Sequence, residues 1–186
     1  MAVDRRVKYT KTVLKNALLE LMQTYPIDKI TVTALCEKAD VNRGTFYAHY
    51  KDAYDLLQQI ESELIDEVIE SIPPTLKIEE LSQMLELIFT TIKRNGSLCR
   101  VLFAEHNDKR FLKQILEAVR PNAFLQWRKL NPSAPEEQLD LLYTFFSNGA
   151  IAIISNWVQQ DMEWDAASLA RFIEQVSLHG LDAVRR

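Results

Sequence analysis

Glycine and proline are scarce in this chain, four and six among 186 residues. Turn-rich β folds draw on both, so the scarcity favours helices. Cysteine is limited to Cys36 and Cys99, far apart and in no metal-ligand spacing. That excludes a disulfide framework and a Cys-x-x-Cys site, and it fits a reducing, cytoplasmic setting. No Gly-rich phosphate loop and no His-Glu-x-x-His motif occurs. The start, MAVDRRVKYTK, is charged with no apolar stretch behind it, which predicts no secretory signal. Internal repeats and low-complexity segments are absent. What is present is apolar content of 47%, too much for a disordered chain and enough for one or two compact domains.

The net charge of −4 at first argues against nucleic acid. Its distribution argues the other way. Residues 1–51 carry nine Lys/Arg (Arg5, Arg6, Lys8, Lys11, Lys15, Lys29, Lys38, Arg43, Lys51) against five Asp/Glu, a net +4 that leaves −8 on the remaining 135 residues. A basic end on an acidic body turns one end of the chain toward phosphate.

Helical periodicity runs through most of the sequence and predicts an all-α fold of about nine helices. Val13, Leu14, Ala17, Leu18, Leu21 and Met22 form one stripe of a first helix over about 8–24, ended by Pro26. Thr31, Asn42 and Asp52 are expected N-caps of the next three, the fourth reaching about Ser71 before Pro73-Pro74. Further helices are expected over about 78–94, closed by Asn95-Gly96 as a C-terminal stop, then 97–105, 108–129, 136–160 and 166–184. The domain boundary is placed at 51/52, with a helix-turn-helix domain over 1–51 and a regulatory and dimerisation domain over 52–186.

From Leu141 to Val158 no residue is charged. Thr144, Ser147, Asn148, Ser155 and Asn156, and the lack of flanking Lys/Arg, argue against a membrane span. A helix apolar on most of its circumference has to be covered on two sides; one can meet its own domain and the other a second copy of the chain, the alternative being a helix buried centrally in one domain. The residues expected at that homodimer interface are Leu142, Phe145, Gly149, Ala152, Ile153 and Trp157 on the eighth helix, with Phe172 and Val176 on the ninth.

The most informative stretch is Thr31–Tyr50, TVTALCEKADVNRGTFYAHY. It reads as a short helix with one apolar face (Val32, Leu35, Cys36), a tight turn at Ala39-Asp40-Val41, and a second short helix opened by Asn42. That second helix offers guanidinium, hydroxyl, phenol and imidazole, the groups that meet base edges and phosphates. Arg43 suits a bidentate fork on guanine, and Gly44 lets the backbone approach a duplex. Thr45 offers a hydroxyl and a methyl, Tyr47 and His49 suit phosphates, and Phe46 should dock inward. Lys51 stands beside the N-terminus of the following helix, where free backbone N–H groups make a phosphate seat. Thr31 and Thr33 could do the same at the other side of the groove.

Residues 8–57 resemble the N-terminal domain of the tetracycline-repressor-like (TetR/AcrR) transcriptional regulators, with ITVTALCEKADVNRGTFYAHYKD matching the family's helix-turn-helix signature almost position by position. The resemblance implies that Arg43, Gly44, Thr45, Tyr47, His49 and Lys51 contact double-stranded DNA. LFAEHNDKRFL and FFSNGAIAIISNWV resemble, more loosely, one subgroup's regulatory domain. The family implies an all-α homodimer joined through its last two helices, with a small-molecule pocket within the fourth to eighth. Phe103, Phe124, Trp127, Tyr143 and Phe146 are candidates to line it. The expected function is a ligand-responsive repressor on a palindromic operator. The alternative is an activator or co-activator of the same fold that works through a protein partner.

Rival chemistry finds little support. The adjacent Glu105-His106-Asn107-Asp108 do not converge on one ion, so capping is expected there and no metal or other cofactor. Cys36 and Cys99 read as packing residues, and His179 as a surface residue in a last helical turn. No convergent nucleophile, base and orienting group is visible, so no enzyme is expected.

Overall fold

The computed structural model describes residues 5–72, 81–103 and 110–181. Among them all regular structure is helical: α1 (Arg5–Met22), a single 3-10 turn (Ile27–Lys29), α2 (Val32–Ala39), α3 (Arg43–Tyr47), α4 (Ala53–Glu70), α5 (Leu81–Arg94), α6 (Gly96–Leu102), α7 (Arg110–Leu130), α8 (Glu136–Gln159) and α9 (Ala166–Leu181). The Glu105–Asp108 segment lies outside the described residues. Packing divides the chain into two compact units, with the division inside α4 between Leu64 and Ile65.

The first unit is built on the predicted stripe of α1. Leu14, Ala17, Leu18 and Met22 are buried, and they share a core with Leu35 and Cys36 of α2, Phe46 of α3 and Leu56, Ile60 and Leu64 of α4. Phe46 is fully inaccessible. A helix of five residues has too few internal hydrogen bonds to persist alone. Burial of the Phe46 ring, worth about 1.5–3 kcal/mol, is what holds α3 in place. Two ion pairs tie the helices at the surface, Lys38–Glu20 at 2.5 Å and Lys15–Glu63 at 3.7 Å.

The second unit has α5 and α9 as its most extensive helix pair. Met84, Ile88, Phe89 and Ile92 of α5 and Leu169, Ala170 and Ile173 of α9 are buried. The amide of Ser82 donates to the Glu174 carboxylate at 2.9 Å. The short α6 is almost wholly interior through Leu98, Cys99, Val101 and Leu102. Burial pushes the Cys99 thiol up to about 12, which keeps it neutral and inert. Between α7 and α8, Trp127 and Tyr143 form an aromatic cluster with Phe124 and Phe146 packed against it. Arg120 caps that cluster, 4.5 Å above the Phe124 ring and paired with Asp140.

Three expectations change. α5 does stop at Arg94, before Asn95-Gly96, but not through a left-handed glycine, since no glycine among the described residues has positive φ and Gly96 opens α6. Small size is what matters at Gly96: a Cβ there would lie 2.9 Å from Cε of Met162. The left-handed residues of this region are Asp161 (φ 55°) and Met162 (φ 56°) in the α8–α9 turn, where Lys93 donates to the Met162 carbonyl at 3.3 Å. Trp157 does not lie on an outer face. It is 5% exposed, with its ring 5.7 Å from Phe89, so it belongs to the core of the chain itself. Phe103 is fully buried at the end of α6, and its carbonyl accepts from Gln159 at 3.2 Å. It is not one of the rings of the α7–α8 cluster.

α8 is long and apolar enough, by length and composition, to cross a membrane. Here it packs with α6, α7 and α9, burying Leu139, Tyr143, Ile154, Ser155, Trp157 and Val158. Its other side carries Leu141, Phe145, Asn148, Gly149 and Ala152 exposed, with Leu142 and Ile153 half-buried. Phe172 and Val176 of α9 are exposed as well.

Candidate nucleic-acid interface

α2 and α3 are each opened by a side-chain cap. Thr31 Oγ1 accepts the Ala34 amide at 3.1 Å, and Asn42 Oδ1 accepts the Thr45 amide at 2.8 Å. Such caps satisfy backbone donors that have no partner inside the helix. Between them Asp40 takes the left-handed conformation (φ 52°, ψ 47°), and the Val41 amide returns to the Cys36 carbonyl at 2.9 Å. This is a C-terminal capping turn made with aspartate, one of the few non-glycine residues that tolerates it.

With Phe46 inward, the opposite side of α3 faces solvent. Asn42, Arg43, Gly44 and Tyr47 are exposed, Tyr47 by 58%, while Thr45 and His49 are half-buried. Tyr47 meets Phe46 edge-on at 5.6 Å, and His49 meets Tyr50 at 6.2 Å. The rings are thus braced from below. Gly44 stands close over the cap: a Cβ there would lie 3.3 Å from Asn42 Oδ1. Thr31 and Lys51 are exposed at the two edges.

The starts of α2 and α3 are joined by one bond. Arg43 donates through its guanidinium to Thr33 Oγ1 at 2.6 Å. Thr33, Asn42 and Arg43 then line one cleft of about 410 Å³ together with Cys36, Glu37, Asp40 and Val41. The sequence reading missed Glu37 and Asp40 at this place. Glu37 follows Thr33 by one turn of α2 and is open to a periodicity argument, whereas Asp40 is brought round only by its own left-handed conformation. Burial raises the Cys36 thiol pKa, more than Arg43 lowers it, with Glu37 raising it further, so the thiol stays protonated.

Two local expectations are corrected. At the N-terminus of α4 one of the expected free N–H groups is already taken. Asp52 accepts the Asp55 amide at 2.8 Å, and Asp55 accepts the Lys51 amide at 2.8 Å. The bond from Lys51 holds the Asp55 carboxyl below its usual range. Asp52 thus takes one first-turn amide of α4, and the Asp55 carboxylate stands against the Lys51 amide just before the helix. The Thr45 hydroxyl also has a partner already, at 3.1 Å on Asn42 Oδ1, so its methyl and remaining lone pairs are what it can offer outward. The five expected pocket residues divide in the same way: Phe124, Trp127, Tyr143 and Phe146 touch one another, with ring centroids 5.8–6.1 Å apart, and Phe103 stands elsewhere. No group of three or more potential metal ligands occurs among the described residues.

Comparison with known proteins bears on both units. The family model for bacterial regulatory proteins of the tetR family matches residues 15–60, and a model for a transcriptional regulator C-terminal region matches residues 79–179. An uncharacterized HTH-type transcriptional regulator of Bacillus subtilis (strain 168), YxbF, is 29% identical over 96 residues, 48% of this chain. The chain spans about a quarter of that relative's length, 25%. Among solved structures, a TetR transcriptional regulator from Streptococcus agalactiae 2603V is 23% identical, with 98% of this chain and 97% of that one covered at a TM-score of 0.67. The fatty acid degradation regulator FadR from Bacillus halodurans is 18% identical, with 92% and 96% covered at a TM-score of 0.68. The dihydroxyacetone kinase operon activator DhaS is 17% identical, with 95% and 98% covered at a TM-score of 0.60. At these identities the structures establish a shared fold. The family models match both the helix-turn-helix and the greater part of the C-terminal helices, and the chain belongs to the TetR family of transcriptional regulators.

Proposed function

We propose that this regulator is a homodimeric, ligand-responsive repressor that reads a palindromic operator through α3. The observation that carries the DNA reading is the polarity of α3: Phe46 is locked inward while Arg43, Gly44 and Tyr47 stand open to solvent. In a helix-turn-helix dimer the two reading helices must sit about 34–36 Å apart to enter successive major grooves. The second copy is supported by the uncovered apolar side of α8 and α9, where Leu141, Phe145, Phe172 and Val176 are exposed. Burying such residues against a twin is the usual way a bundle completes its core. An effector entering among Phe124, Trp127, Tyr143 and Phe146 would have to part rings now in contact. It shifts DNA binding only if it binds the two states with different affinity. Such a regulator works in the cytoplasm, where its operator is.

The test is selection of duplex from a random-sequence library by the full chain, followed by gel shifts and by light scattering of the free protein. Enrichment of an inverted repeat and a dimeric mass are expected. A pool that stays random would refute the reading. Reporter assays on the selected site then decide between repression and the activator alternative.

A further inference from the structure

We propose that Thr33 is a positioning residue for sequence readout, its hydroxyl aiming the Arg43 guanidinium so that the two side chains act as one reading unit. This rests on the DNA reading of α3 given above. The hydrogen bond spans ten residues and links the first turn of α2 to the first residue of α3. Both backbones are held at that point, α2 by the Thr31 cap and α3 by the Asn42 cap. An exposed arginine otherwise samples many rotamers, and that freedom is lost on binding. Here the guanidinium is restrained before DNA arrives. It bonds to a neutral hydroxyl although the carboxylates Glu37 and Asp40 line the same cleft. A carboxylate would engage the charge and hold it back from a partner. A hydroxyl orients the group and leaves N–H donors for the fork that guanine O6 and N7 accept. The Thr33 hydroxyl proton is not consumed by accepting from Arg43, so it too can turn toward the duplex.

The experiment uses the full chain, duplex enriched by it from a random-sequence library, and a panel of single-base variants of that duplex. Anisotropy titrations at several salt concentrations compare the parent with Thr33→Val, Thr33→Ser, Arg43→Ala and the Thr33→Val/Arg43→Ala pair, and thermal melts check folding. Arg43→Ala should identify one base position whose discrimination it removes. Thr33→Val should lose about three- to tenfold of the discrimination at that same position, the range expected from one hydrogen bond. Thr33→Ser should restore it. Thr33→Val should add nothing once Arg43 is gone, and it should leave the salt slope unchanged. The inference is overturned if Thr33→Val keeps full discrimination while Arg43→Ala loses it. A shallower salt slope in Thr33→Val would also overturn it, by making Thr33 a phosphate contact. If Arg43→Ala itself changes nothing, the DNA reading of α3 falls and this inference with it.

Discussion

The indole N–H of Trp157 donates to the carbonyl oxygen of Trp164 at 2.9 Å, which pins the end of α8 to the residue just before α9's cap. The Trp157 ring is buried beside Phe89. Trp157→Phe keeps most of the ring volume but leaves that carbonyl without its donor, and should cost about 1–2 kcal/mol. Trp157→Ala opens a cavity and should cost about 3–5 kcal/mol. Urea melts at two protein concentrations measure both. A loss that appears only on dilution would assign Trp157 to an intersubunit contact instead.

Phe145 is 73% exposed on the uncovered side of α8. Phe145→Glu should leave the far-ultraviolet circular dichroism of the subunit intact and convert a dimer to a monomer, because a carboxylate cannot be buried unpaired against a twin. Light scattering coupled to size exclusion reads the outcome. A dimer that survives places the contact elsewhere.

Arg43→Ala should weaken binding to the selected operator by about 1–3 kcal/mol and relax one base position. Tyr47→Phe or Lys51→Ala should weaken binding to all duplexes, and Lys51→Ala should also flatten the salt slope by about one. Gel shifts at graded salt separate the two behaviours.

The Tyr143 phenol donates to the Leu116 carbonyl, and burial pushes its pKa up to about 12. The folded chain thus holds this proton more tightly than the unfolded chain, whose tyrosine titrates near about 10. The associated stability is complete below about pH 10 and is lost as pH rises from there through about 12. Tyr143→Phe should make the alkaline fall in stability shallower, as measured by denaturant midpoints from neutrality to high pH. Tyr50, raised by its burial and by Glu63 and Asp55, should keep part of the fall.

The helices and their caps were legible because they are local. Thr31, Asn42 and Asp52 announce helix starts within three residues of the amide each satisfies, and the inward Phe46 follows from spacing alone. Features set by distant residues were not legible. Nothing near Trp157 in sequence shows that Phe89 packs against it, and nothing at Gly96 shows that Met162 of the α8–α9 turn meets it. The same limit hid the charge pattern around α3. Asp55 lies in the first turn of α4, where the helix dipole favours an acid, but the bond it accepts from the Lys51 amide depends on how the chain enters α4. The apolar run of α8 indicated that it packs inside the fold, as its contacts with α6, α7 and α9 show. It did not say which residues meet each, because a nearly uniform helix has no polar side to orient it.

Glu37 and Asp40, lodged in the cleft beside Arg43, bear on the proposed role. If Arg43 reads DNA, negative groups lining the same cleft would weaken its hold on arbitrary duplex, whose grip on a regulator is mostly electrostatic. Fewer copies would then be sequestered along the chromosome, and a small cellular pool could still fill its true target.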